Sequence, residues 1–144
     1  MKNKWVYLTW LIPAWLLFLG LYQANVMRGL MRTHADGTDL MAFVEEFDIK
    51  YISSQTNGYV ILRFTPPGEA ERVEKLGLPV QVAAKIQDLA AISIRYKSDS
   101  SVPVVMVPTF PFQRSTMIVN LAIMTVSLLI TSLIAWHFTS SRPR

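Results

Sequence analysis

Hydrophobic positions are spread unevenly along this chain, and their spacing changes three times. From Trp5 to Tyr22 (WVYLTWLIPAWLLFLGLY) and from Met117 to Phe138 (MIVNLAIMTVSLLITSLIAWHF) apolar residues run almost unbroken, without one charge. Roughly 20 apolar residues cross the hydrocarbon core of a bilayer as a helix. Each block therefore predicts a spanning helix, the first gaining length by continuing through 23–26. A cleaved leader is the rival reading of the first block, but cleavage after Ala24 would leave bulky Tyr22 two residues before it, so a retained anchor is expected. Beyond Tyr22 the helical spacing persists. Met27, Leu30 and Met31 share one side and Arg28 and Arg32 another, as in an interfacial extension. Thr33-His34-Ala35-Asp36-Gly37-Thr38 then breaks the pattern, with Gly37 as the stop.

From Phe43 the period shortens to two. Phe43, Phe47, Ile49 and Tyr51 alternate with Glu46, Asp48 and Lys50, which predicts a half-buried strand with Glu45 as an exception on its apolar side. Residues 53–58 read as a turn because Asn57-Gly58 is a strong hairpin signal. The returning strand covers 59–65 and ends at Pro66-Pro67-Gly68, since neither proline can donate to a ladder. The charged stretch 69–76 is compatible with a short strand. Pro79–Leu89 reads as a helix with proline in its first turn, placing Val82, Ile86 and Leu89 inward; a strand through Val80-Gln81-Val82 competes. Residues 91–96 form a strand with Ile92 and Ile94 inward, 97–101 a turn, and 102–107 a partner strand that Pro103 places on an edge. Pro108 and Pro111 stiffen the lead into the second apolar block. The expected fold is an α+β membrane protein. Two transmembrane helices (1–33 and 113–144) flank an antiparallel β domain (34–112) of four or five strands, with one short helix if the helical reading of 79–89 holds.

Charge changes this picture in one respect. Of the 14 Lys and Arg, Lys2, Lys4, Arg142 and Arg144 stand at the tips, and the rest balance the 10 Asp and Glu. The net charge of +4 is thus confined to the flanks of the apolar blocks. A nucleic-acid binder would carry its excess on the folded domain, so no nucleic-acid partner is expected. Lys2, Lys4, Arg142 and Arg144 instead set topology: both termini cytoplasmic and the central domain outside, by the positive-inside rule. Arg28, Arg32 and Arg114, near the outer ends, act against that assignment. Trp5, Tyr7, Tyr22 and Trp136 fit interfacial belts.

Phe64-Thr65-Pro66-Pro67-Gly68 is a strand running into a Phe-Thr-Pro-Gly-like turn. Ile92-Ser93-Ile94-Arg95-Tyr96 is a later strand ending in Tyr, followed by a polar turn and the apolar Val102-Pro103-Val104-Val105. In these motifs and in the order of its elements the chain resembles a large group of bacterial two-span membrane proteins of unknown function, with a small β domain between the spans. It departs from their pattern in lacking a Gly-Asp before the late strand and a Pro in the turn after Tyr. The resemblance implies the bacterial inner membrane and supplies no catalytic residue.

The absence of cysteine removes disulfides, thiolate metal sites and a cysteine nucleophile. His34, in an outer loop, and His137, at the opposite membrane edge, cannot share a metal. Glu45 and Glu46 should point to opposite faces of their strand and so cannot work as an acid–base pair; Glu45 is expected to pair with Arg63 or Arg95. Glycines form no phosphate-cradling loop. Trp10 and Trp15 suit packing against lipid or a helix. No enzyme, metal or cofactor is expected. Within the spans, Pro13 removes a donor mid-helix, Gly20 and Ala24 permit close helix approach, and Asn120, Ser127 and Thr131, with Met124 between them, share a face. Gly20, Ala24, Asn120, Met124, Ser127 and Thr131 are the helix-packing candidates. The partners expected are the lipid bilayer and either other membrane subunits or a second copy. The function expected is a non-catalytic accessory subunit of a larger membrane complex; the alternative is a membrane-anchored sensor or binding module for a peptide, lipid or glycan.

Overall fold

The computed structural model describes residues 4–52 and 55–141, with the side chains of 4–6, 50–52 and 55–57 outside that description. Two compact units emerge: a helical one, up to Arg28 and from Ser115 onward, and a sheet unit, Gly29–Arg114.

In the helical unit the chain enters as a 3-10 helix, Lys4–Trp10, and relaxes into α1, Leu11–Asp36. Pro13 is therefore in the first turn of α1 and not mid-helix as expected. The preceding turns are wound tighter, as suits a ring that clashes with the carbonyl four residues back. α1 ends at Asp36, where the Gly37 N–H closes on the Thr33 carbonyl at 2.9 Å. The second long helix, α3, covers Phe110–Ser140. Both helices are long and apolar enough to cross a membrane, and of their most apolar 18-residue windows only 6% and 0% is buried within the chain.

What α1 and α3 do bury is a narrow stripe. On α1 and the turn before it the covered positions include Thr9, Pro13, Leu16, Gly20, Gln23 and Met27, with Leu19 and Val26 beside them; on α3 they include Met117, Leu121, Met124, Leu128, Thr131 and Ala135. Steps of four and three alternate along both, the heptad spacing that keeps a helix seam facing its neighbour.

The sheet unit is a curled antiparallel sheet of five strands: β1 Thr38–Ile52, β2 Gln55–Phe64, β3 Arg72–Pro79, β4 Ala91–Tyr96 and β5 Val104–Met106. Their spatial order is β3-β2-β1-β4-β5. The charged stretch 69–76 thus supplies most of an eight-residue edge strand, and β5 forms the other edge, where Pro103 pointed. The concave face holds the core, with Val60, Leu62, Phe64, Ile92, Ile94 and Met106 packed around Val82, Ala83 and Ile86.

Four details depart from expectation. Asn57 and Gly58 are not a turn: they lie inside β2, opposite Lys50 and Ile49, and the connection narrows to 53–54, outside the described residues. A Cβ on Gly58 would stand 3.0 Å from the Asp48 carbonyl and 3.2 Å from that of Leu78, so the glycine answers to strand crowding and not to turn geometry. Helix α2 is only Val80–Ala83. The chain continues in tight turns (Ile86 N–H to Ala83 O, 3.1 Å; Leu89 N–H to Ile86 O, 3.1 Å), so Val82 and Ile86 are buried but Leu89 swings out to 42% exposure. β1 begins at Thr38, directly after Gly37, and not at Phe43.

The fourth concerns the faces of β1. Its register on β2 skips Glu45, which forms a β-bulge between Val44 and Glu46. One extra residue inverts the alternation. Leu40 and Val44 pack on the core before the bulge, and Phe47 and Ile49 after it. Phe43, expected inside, is on the outer face.

Candidate functional site

The outer face of the sheet gathers the polar chemistry of the unit. Arg63 Nε reaches Glu45 at 3.2 Å, the pairing expected, and Arg63 Nη1 reaches Glu71 at 3.9 Å. Tyr59 donates its hydroxyl to Glu46, and this bond holds the phenol above its ordinary pKa. Both carboxylates thus engage outer-face groups, and the expectation that Glu45 and Glu46 point to opposite faces fails because the bulge intervenes. Arg95 pairs with Asp39 at 2.7 Å. Between these pairs stand Met41 and Phe43, each 58% exposed, with Val73 beyond Arg63 in the same cross-strand row at 55%. A cleft of about 320 Å³ opens among Met41, Phe43, Arg63, Phe64, Thr65 and Glu71.

At the rim of the core face, Pro66-Pro67-Gly68-Glu69 is a tight turn closed by the Glu69 N–H on the Pro66 carbonyl, 3.1 Å. Gly68 takes φ 76°, a left-handed conformation that suits the third residue of a type II turn. The turn delivers Glu69 to the Tyr96 hydroxyl at 3.0 Å and to Arg72 at 3.0 Å. Burial, then this hydrogen bond, push the Tyr96 phenol up.

A second cluster ties the last turns of α1 to the β4–β5 loop. Ser100 Oγ donates to the Gly29 carbonyl at 3.1 Å, Thr33 Oγ1 to the Val102 carbonyl, and Arg32 meets Asp99 at 3.1 Å. Lys97, then Arg32, hold the Asp99 carboxyl below the usual carboxylate range. His34 is not in a loop, as expected, but in the last turn of α1, stacked on Phe110 at 3.5 Å between ring centres. The cluster is structural: every polar group in it faces another of this chain.

In the helical unit, Gly20, Ala24 and Met124 line one groove of about 230 Å³ with Leu16, Leu17, Leu21, Leu121, Thr125 and Leu128. Ser127 and Thr131 are half-covered beside it, and the Thr131 hydroxyl is bonded to the Ser127 carbonyl of its own helix at 2.8 Å. Asn120 is exposed, away from the covered stripe. Ala135, at 1% exposure the most deeply covered position of α3, escaped the sequence reading, although the alternating four-three spacing marks it. Of the residues expected to set topology, Lys2, Arg142 and Arg144 lie outside the described residues, and only the backbone of Lys4 is described. Among the described residues no three His, Cys, Asp or Glu converge as metal ligands.

Comparison with protein-family models, with curated proteins and with solved structures finds no match to this chain.

Proposed function

We propose that the protein is a non-catalytic membrane subunit. In this reading its two long helices lie in the bacterial inner membrane, and the sheet unit, on the extracytoplasmic side, docks on a larger membrane complex. The carrying observation is the pair Met41 and Phe43, more than half exposed on the convex face of a sheet whose concave face already holds the core. An apolar row rimmed by ion pairs is the anatomy of a protein–protein contact. The membrane assignment is supported by helices whose apolar surface the chain leaves uncovered, unlike the core helix of a soluble domain. The basic tips favour cytoplasmic termini.

The test is affinity purification of the full chain in mild detergent, beside the double variant Met41→Ser/Phe43→Ser. A different membrane chain should co-purify with the parent and be lost from the variant, while both forms stay in the membrane under carbonate extraction. A parent chain that purifies without any other protein overturns the docking role, and release by carbonate overturns the membrane assignment.

The cleft beside Phe43 favours one second reading, an extracytoplasmic binding module for a peptide, lipid or glycan. Phe43→Ser would then abolish ligand-induced thermal stabilisation of the chain without changing what co-purifies.

A further inference from the structure

Strand β3 is an edge: one side of Arg72–Pro79 pairs with β2, and the other is unpaired among the described residues. An unpaired edge offers a row of backbone donors and acceptors to any extended segment. Side chains decide which segment fits. Read along the chain, Glu71-Arg72-Val73-Glu74-Lys75 carries charges minus, plus, none, minus, plus. Reversed, as in an antiparallel neighbour, the order is plus, minus, none, plus, minus. The stretch is its own complement.

We propose that β3 pairs antiparallel with β3 of a second copy, about a two-fold axis at Val73, joining two five-stranded sheets into one. In this register Val73 faces its own counterpart, Arg72 faces the partner's Glu74, and Glu71 faces the partner's Lys75. Directly opposed residues of an antiparallel pair share a face. Val73 and the Glu71–Lys75 pairs therefore lie on the convex face, which Arg63 and its contact with Glu71 mark. The Arg72–Glu74 pairs lie on the core-side rim, where Arg72 stands 5.7 Å from the Tyr96 ring. Neighbouring registers are excluded by like charges: centring on Arg72, Glu74 or Lys75 sets that residue against its own copy.

The monomer leaves these groups unevenly engaged. Arg72 touches Glu69 at 3.0 Å, and the Lys75 ammonium lies 3.7 Å from the centre of the Tyr59 ring. Among the described residues no ion pair engages Glu74, and the partner's Arg72 would supply one. Val73, 55% exposed, would be covered. The inference rests on the sheet unit and does not require the accessory-subunit reading.

The chain has no cysteine, which makes the test clean. Full-length Val73→Cys, in membranes or mild detergent, should oxidise to a disulfide-linked dimer, because directly opposed residues sit about 4.5–5.5 Å apart at Cα, within disulfide range. Lys75→Cys, opposite the partner's Glu71, should cross-link about tenfold more slowly. Charge reversal gives an independent readout. Glu74→Arg opposes arginines at both pairs and should suppress Val73→Cys cross-linking; adding Arg72→Glu restores complementarity and should restore it. Equal rates at positions 73 and 75, or a Glu74→Arg variant that cross-links as well as its parent, would overturn the proposal. So would a Val73→Cys chain that links only to a different protein.

Discussion

The two units of this protein sort their residues by opposite rules. In the sheet unit the interior is aliphatic and aromatic, and the convex face carries Glu45, Arg63, Glu71 and Arg95. In the helical unit the covered stripe sets Thr9, Gly20, Gln23, Thr131 and Ala135 beside Leu16, Leu121, Met124 and Leu128, while Leu11, Ile12, Trp15, Phe18, Leu129 and Leu133 face outward. The aromatic side chains of Trp15 and Phe18 thus lie on the surface of that unit, and small or polar residues share its seam. Water drives apolar side chains inward, so this partition suits the membrane setting proposed above. A solvent as apolar as leucine leaves packing as the selective force and favours small residues at the seam. The same residue type therefore has different energetic meaning in the two units.

Isoleucine tests this most sharply. Ile86 is fully buried and Ile123 is 59% exposed. Ile86→Ala should cost about 2–5 kcal/mol, as truncation in a packed core does. Ile123→Ala should change stability by less than about 0.5 kcal/mol. Thermal unfolding of both variants in detergent, followed by circular dichroism, measures the difference, and similar losses would dissolve the contrast drawn above. Glycine probes crowding inside the sheet unit at somewhat smaller cost. Gly58→Ala brings a methyl to 3.0 Å from a backbone carbonyl, whereas a Cβ at Gly77 meets nothing within 4 Å. The first should destabilise by about 1–3 kcal/mol and the second by less than about 0.5 kcal/mol, on the same assay.

The smallest effect is electrostatic. Asp99 has its carboxyl held down in the folded chain, first by Lys97 and then by Arg32. A depressed folded value stabilises the fold above the usual carboxylate pKa of about 3.9 and is lost as pH falls through the lower, folded value. The titration midpoint of Asp99, followed by carboxyl-carbon NMR, should lie below the usual value. Lys97→Ala should raise it more than Arg32→Ala, and the reverse order would show that the link to α1 dominates.

Much of this was legible in the chain. The two apolar blocks, Gly37 as a stop, strand 91–96 and the Pro-Pro-Gly turn all follow from local rules, because each is decided by residues within a few positions of one another. The misplacements are non-local. Asn57-Gly58 looks like a turn until the strands on both sides of Gly58 are known to crowd it. Leu89 reads as inward only if the helix begun at Val80 keeps its period, and it does not. The pairing of Glu45 with Arg63 was readable from charge, but the face of Phe43 was not, since a bulge is a property of the ladder and not of the strand alone. For the docking surface, the sequence held the charges of β3 in plain order; what it lacked was the knowledge that β3 is an edge.

The extra residue at Glu45 has a further consequence. Because it shifts the phase of β1 by one, residues four apart across it face opposite ways, Phe43 outward and Phe47 onto the core. Deleting Glu45 would leave the two phenylalanines three positions apart, which ordinary alternation also sets on opposite faces. Both should keep their places while Arg63 loses its 3.2 Å partner. The exposed aromatic is thus indifferent to losing the bulge residue and sensitive to straightening the bulge: a β1 that kept Glu45 in regular register would carry Phe43 and Phe47 on one face.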